Sequence, residues 1–298
     1  MENKEKLENA DLPARPKPIF LLLIEGWGVT EKNEANAISV ARTPNFLRLV
    51  KDYPAAILET NNNNINSRYL SLGSGVKVDN ETQAVNSDLS LIISQSSLRQ
   101  LKILDNERLA AFTSFFNAIR EDKLPGEDWL TISLEDNSQS INSFLGLKRL
   151  VRESVKAIKN ENYDFIAATY SGLDFSATKG DFSETVKVVE SLDKAIRTLE
   201  LEILEHRGIL VIAASGGNAE KMIDMATDLP NKEMTNNPVP LIIVGLDFKG
   251  KTIGLKDAPE GDLSLLKPAG NLSDVAPTIL DLMNLEKDGN MTGSSLIV

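Results

Sequence analysis

The stretch Ile19–Gly28, IFLLLIEGWG, decides the fold class. Its apolar run, Phe20 to Ile24, predicts a strand buried on both faces, and Glu25 with Gly26 then ends it with a charge and a turn. Strands of this kind belong to parallel sheets covered by helices. In open α/β sheets the carboxyl ends of the strands face the ligand crevice, so an acid there is a candidate metal ligand or catalytic base. The competing reading of Glu25 is an ordinary solvated strand end.

Outward from this stretch the same alternation continues. TPNFLRLVKD predicts a helix in which Thr43 caps and Pro44 takes the first helical position. AAILET, LKIL, WLTISL, DFIAAT, GILVIAA and PLIIVG read as strands separated by helical patterns such as Phe144 to Lys159. The spacing predicts a doubly wound α/β domain, a parallel or mixed sheet with helices on both faces, over residues 18–298. Its clearest helix follows Asp181, which makes a capping-box spacing with Glu184, and Gly208 supplies the stop. Val186, Val189, Leu192, Ile196, Leu199 and Ile203 form its apolar stripe. His206, in its last turn, complements the helix dipole. NNNNIN, Asn61 to Asn66, reads as a loop. Residues 1–17 form a charged, proline-ended leader whose composition predicts a flexible tail.

Composition removes several function classes. A net charge of -11 repels phosphate backbones, and no basic stripe is interleaved with aromatics, so nucleic acid is not an expected partner. No apolar run approaches the ~20 residues of a membrane helix, and the leader is too polar for a signal peptide, which predicts a cytoplasmic protein. With no cysteine there is no disulfide, thiolate nucleophile or zinc-thiolate site, and a single histidine excludes a multi-histidine metal site.

Several segments taken together carry a resemblance. IEGWGVTEKNEANAISVARTPNFLRLVKDYP, FFNAIREDKLPGEDW, GDFSETVKVVESLDKAI, GGNAEKMID, NNPVPLIIVG and LSDVAPTILDLMNLEKDGNMTGSSLI resemble the cofactor-independent phosphoglycerate mutase family of the alkaline phosphatase superfamily, in family order. The resemblance implies an alkaline-phosphatase-like core sheet. It also implies two divalent metal ions, usually manganese, flanking a serine that is phosphorylated and returns the phosphoryl group to the other hydroxyl of glycerate.

The implied metal shell is mostly absent from this chain. Glu25 stands where the family has aspartate, and Ser67, in NSRYLSLGSG, occupies the nucleophile's place in a shortened loop. Asp174 matches, but Thr178 replaces a histidine, and Ser215 with Gly216 replace an adjacent aspartate and histidine. Asn231 and Met234 stand where the family carries histidines. Scattered oxygen ligands leave the repulsion of two like-charged ions uncompensated, so no metal pair is expected. A single weak magnesium or manganese on Glu25 and Asp174 is the alternative. The family's inserted second domain, which clamps the substrate, is replaced by the short stretch Val76 to Arg99. Arg68, Lys77 and Lys179 are candidate contacts for a small anion. Together these departures imply a catalytically inactive member serving other protein subunits as scaffold, subunit or regulator. The alternative is a residual metal-dependent mutase or phosphatase using Ser67.

Overall fold

Every residue of the first strand, β1 (Ile19–Gly26), is buried. This holds in a computed structural model that describes residues 15–60, 64–80, 82–120, 122–135, 141–253 and 258–297. After β1 come helices α1 (Ala37–Val40) and α2 (Pro44–Asp52), strand β2 (Ala55–Glu59), helices α3 (Ile65–Ser74) and α4 (Leu89–Gln95), and strand β3 (Gln100–Asp105). A π-helical turn (Ala111–Phe116), β4 (Glu127–Ile132), α5 (Ser143–Lys159), β5 (Phe165–Tyr170), α6 (Gly172–Lys179), α7 (Phe182–Glu205) and β6 (Ile209–Gly217) follow. A small hairpin of β7 (Ile223–Asp224) and β8 (Leu229–Pro230), then β9 (Val239–Val244), β10 (Gly270–Asn271) and α8 (Val275–Leu282) complete it.

Eight strands form one mixed sheet in the order β10-β2-β9-β6-β1-β5-β3-β4. β9 pairs antiparallel with both β2 and β6, and every other pairing in the sheet is parallel. β1 lies between β5 and β6, with Ile19 opposite Phe165 on one side and Ile209 on the other. β5, β6 and β9 are buried along their whole lengths, as continuous apolar runs require of strands covered on both faces. The doubly wound expectation is met.

Local details depart from it in instructive ways. α7 packs Val189, Leu192, Ile196, Leu199 and Ile203 inward, whereas Val186 is only partly buried. Asp181 accepts the Glu184 N–H at 2.9 Å, which is half of the expected box. The helix ends with Arg207 at φ 55°, while Gly208 is needed next to it because a Cβ there would lie 2.5 Å from the Pro18 carbonyl oxygen.

Thr43 makes no capping hydrogen bond to α2. Asp193 of α7 does so instead, its carboxylate accepting the Phe46 N–H at 2.8 Å and the Asn45 amide at 2.7 Å. A buried anion at the positive end of the helix also favours the dipole. The asparagine run is not wholly a loop. Asn64 caps α3 by accepting the N–H groups of Asn66 and Ser67, which puts Ile65 and Asn66 inside the helix, while 61–63 lie outside the described residues.

The stretch Val76 to Arg99 contributes to the core through α4, which buries Leu89 and Ile93. Of the charged leader, residues 1–14 lie outside the described residues, and Lys17 pairs with Asp164 at 3.4 Å. Among the described residues, no helix is long and apolar enough to cross a membrane.

Candidate functional site

The carboxyl ends of β1 and β6 meet across a bulge. Ile24 faces Ala214 but Glu25 faces Gly216, so Ser215 is the extra residue in β6. Gly26 follows with φ 89°, and a Cβ there would come within 2.9 Å of the Asp174 backbone at the start of α6. This close approach brings the Glu25 and Asp174 carboxylates to one place, as their sequence positions at two strand-to-helix junctions suggest.

An arginine joins them. Arg108, in the turn between β3 and the π-helical turn, donates from Nε to Glu25 at 2.6 Å and from Nη2 to Asp174 at 3.0 Å. Its backbone N–H is held by Asp105, the last residue of β3, at 3.0 Å, and the other Asp105 oxygen accepts the Ser171 N–H at 3.1 Å. The Tyr69 hydroxyl of α3 donates to the remaining Glu25 oxygen. Asn218 donates to Asp174 at 2.8 Å and also contacts the Thr178 hydroxyl at 3.1 Å.

Burial sets the electrostatics of this cluster. Desolvation pushes the Glu25 carboxyl up to about 7; Asp105 and Asp174 add to the rise, while Arg108 and the Tyr69 hydrogen bond oppose it. Burial likewise raises Asp105, against its hydrogen bonds from Ser171 and Arg108. Burial disfavours the Arg108 cation, yet its anionic neighbours, Glu25 foremost, outweigh this and hold it above its ordinary range. The Tyr69 phenol is driven far up by burial and by the adjacent Glu25.

The other expected positions are held in different ways. Ser67 lies in the first turn of α3, a helix and not a loop, fully buried. Among the described residues neither its hydroxyl nor that of buried Ser215 has a hydrogen-bond partner. Gly216 is packed against Arg68, whose Nη1 would lie 1.7 Å from a Cβ there, with the Met234 sulfur at 3.4 Å. Arg68 is buried and reaches across to the Thr235 carbonyl at 2.7 Å and the Asn236 side chain at 3.1 Å. Burial lowers it to about 10, against the pull of Glu220 and Asp174.

The three candidate anion contacts do not act as one group. Lys179 donates to the Ile141 carbonyl at 3.4 Å and pairs with Glu184 at 3.7 Å. Lys77 is exposed, its backbone N–H on Thr292. Asn231 bonds the Lys221 carbonyl at 2.8 Å.

Sequence reasoning missed Arg108, Asp105, Tyr69 and Asn218. The positional rule that singles out Glu25 at the end of β1 applies equally to Asp105 at the end of β3, and Arg108 follows within one turn. It also missed Glu220, which accepts the Gly28 N–H at 3.2 Å and the Asn237 amide at 2.9 Å, and so ties the segment after β1 to that before β9. A further buried pair, Lys102 of β3 with Glu127 of β4, shares its ammonium with Asn117 and lies near the Phe112 and Phe116 rings.

Most of the chain matches a known family. A model described as Metalloenzyme superfamily matches residues 17–287. The chain belongs to that superfamily. Among curated proteins it is 36% identical over 215 residues to the 2,3-bisphosphoglycerate-independent phosphoglycerate mutase of Chloroflexus aurantiacus, covering 72% of this chain and 38% of that protein. A protein of the same name from Clostridium botulinum is 30% identical over 236 residues, covering 78% of this chain and 43% of the relative. The chain thus spans less than half the length of these relatives. Solved structures agree on the fold: Leishmania mexicana phosphoglycerate mutase (TM-score 0.59, 20% identity, 69% of this chain and 38% of that one) and the alkaline phosphatase of the Antarctic bacterium TAB5 (TM-score 0.61, 13% identity, 92% and 99%).

The two divalent ions implied by the resemblance do not fit the residues present. Glu25 and Asp174 both direct an oxygen to the Arg108 guanidinium, and a cation already stands between the two carboxylates. Among the described residues, no three or more histidine, cysteine or carboxylate side chains group in a way that could hold a metal ion.

Proposed function

We propose that this chain is a superfamily member in which an ion cluster centred on Arg108 replaces the metal centre, and that it works as a scaffold, subunit or regulator for other proteins instead of as a mutase. The observation that carries this reading is the Arg108 side chain bound to Glu25 and Asp174 at once. A fixed guanidinium supplies the positive charge that would otherwise come from a metal, but it cannot activate a serine oxygen as a Lewis acid does. The burial of Ser67 and the packing of Arg68 over Gly216 point the same way, since each fills space that a substrate phosphoryl group would need. The net charge of -11 and the polar surface suit a cytoplasmic protein partner better than nucleic acid.

A second reading has an observation in its favour. The Ser67 hydroxyl makes no hydrogen bond among the described residues, as a nucleophile held in reserve would not, and Asp174 matches the resembled family's aspartate. A residual mutase or phosphatase would use that serine with one metal ion.

Turnover assays with 2- and 3-phosphoglycerate and with p-nitrophenyl phosphate, with and without manganese, separate the two. The scaffold reading expects no turnover, no calorimetric manganese binding, and a stoichiometric protein partner on affinity purification from the native cell. Manganese-dependent turnover that disappears in Ser67→Ala would overturn it in favour of the enzyme.

A further inference from the structure

The sheet ends in two unlike edges. β10 at one end is 2 residues long, whereas β4 at the other, Glu127–Ile132, is 6. A short edge is safe from stray pairing, and a longer one is ordinarily blunted by proline, lysine or a bulge. EDWLTI contains neither residue, and β4 follows β3 from Gln100 to Asp105 without a shift of register.

The carbonyls of Gly126 and Ile132 accept the N–H groups of Gln100 and Asn106, each at 2.9 Å. Even-numbered carbonyls therefore face β3, and the backbone groups of Glu127, Trp129, Thr131 and Ser133 point away from it. At the ends of this outward row two groups are occupied: the Glu127 N–H donates to the Leu124 carbonyl at 3.0 Å, and the Ser133 carbonyl accepts from Arg149 at 2.6 Å. Among the described residues the N–H and C=O of Trp129 and Thr131, the C=O of Glu127 and the N–H of Ser133 have no partner.

This row is complementary to itself. An antiparallel copy turned about a twofold axis at Leu130 sets Trp129 against Thr131, where both residues are open, and Glu127 against Ser133, where open carbonyl meets open N–H and the two occupied groups meet each other. Sliding the copy two residues either way sets an open group against an occupied one. Beside the row lies a groove of about 500 Å3, bordered on the α5 side by Arg149, Arg152 and Glu153 and at its end by Glu135. Its charges balance although the whole chain carries -11. A partner strongly charged in either sense would find half of them against it, whereas a second copy brings the same balanced set.

We infer that β4 is a self-association edge, at which two copies of this chain join antiparallel about a twofold axis at Leu130 to make one sheet running through both. The pairing does not rest on whether the Arg108 cluster stands in for a metal centre.

Sedimentation of the full chain at concentrations up to about 100 μM should reach twice the 32.6 kDa chain mass. Thiol cross-linking reads the register. At the axis the two Leu130 residues form a non-hydrogen-bonded pair with Cα atoms about 4.5 Å apart, within reach of a disulfide. The chain has no cysteine, so Leu130→Cys introduces a single thiol that mild oxidation should link to its copy. Thr131→Cys is the control, because Thr131 faces Trp129 and its own counterpart lies diagonally about 7–8 Å away; it should link about tenfold less. Thr131→Pro removes an outward N–H and no bond to β3, and should weaken the dimer about tenfold or more with circular dichroism unchanged. Leu130→Lys puts like charges opposite each other at the axis, should do the same, and serves if the proline variant fails to fold. A mass of 32.6 kDa throughout, whether bare or carrying a strand of a different protein, would overturn the assignment. So would equal linking of the two cysteine variants, or an unaltered dimer in a folded proline or lysine variant.

Discussion

Replacing Arg108 by methionine removes the one cation between two buried carboxylates. Glu25 is 1% and Asp174 6% exposed, so neither can recover its hydration where it stands. Breaking a buried pair from one side costs about 3–5 kcal/mol, and that range is expected here at pH 8. The cost should depend on pH in a defined direction. Glu25 has a folded pKa raised from 4.5 to about 7, so the folded state binds its proton more tightly than the unfolded chain does. Its contribution to stability is therefore fully present below pH 4.5 and is lost as pH rises to about 7, a span worth about 3 kcal/mol at roughly 1.4 kcal/mol per unit. Arg108 opposes that rise, so its removal moves the folded pKa higher and extends the loss above pH 7. Arg108→Met should then lie close to wild type at pH 4.5 and far below it at pH 8. Adding Glu25→Gln should recover about 1–3 kcal/mol at pH 8, because an amide needs no counter-charge. Urea unfolding followed by far-ultraviolet circular dichroism at both pH values measures all three. A variant within about 1 kcal/mol of wild type at pH 8, or one that loses more in acid than in base, would refute the reasoning.

Tyr69→Phe leaves one Glu25 oxygen without its donor and should cost about 1–3 kcal/mol, read as a fall in melting temperature that Glu25→Gln makes smaller. Gly216→Ala places a methyl 1.7 Å from an Arg68 nitrogen and should cost about 1–3 kcal/mol; a melting curve like that of wild type would show that Arg68 moves aside easily. Lys102→Met strands the buried Glu127 carboxylate and should lose about 3–5 kcal/mol in chemical unfolding, with much of that loss returned by Glu127→Gln in the same chain. Millimolar manganese should leave the wild-type melting temperature where it is, and a rise of several degrees would mean that a metal displaces Arg108.

What could be read in advance and what could not follow from different physics. Buried parallel strands need unbroken apolar runs, so IFLLLI, DFIAAT and GILVIAA announce themselves, and the Glu25 and Asp174 positions follow from where strands end. The capping of α2 by Asp193 and the joining of Glu25 to Asp174 by Arg108 rest on side chains far apart in the chain, and no local spacing encodes them. Thr43 looked like the cap because it precedes Pro44, but a buried carboxylate from another helix does the work. The asparagine run looked like a loop because of its polarity, although Asn64 is the kind of residue that starts a helix. The joining of Glu25 and Asp174 by an arginine just beyond β3 was not legible in the sequence, because an arginine has many possible partners until the fold chooses one.

The placement of β1 in the sheet has a consequence for how the chain is made. The strand leaves the ribosome before every other strand of its sheet, yet its neighbours begin at Phe165 and Ile209. At about 5–20 residues per second, the second neighbour is completed some 10–40 s after the first strand appears. Throughout that interval a six-residue aliphatic and aromatic run, charge-free and rich in β-formers, stands without at least one of its two partners, which is the composition of an aggregation-prone segment. Stalling synthesis between residues 170 and 205 should therefore yield nascent chains that are protease-sensitive and held by chaperones, and extension past β6 should release them as a protected fold.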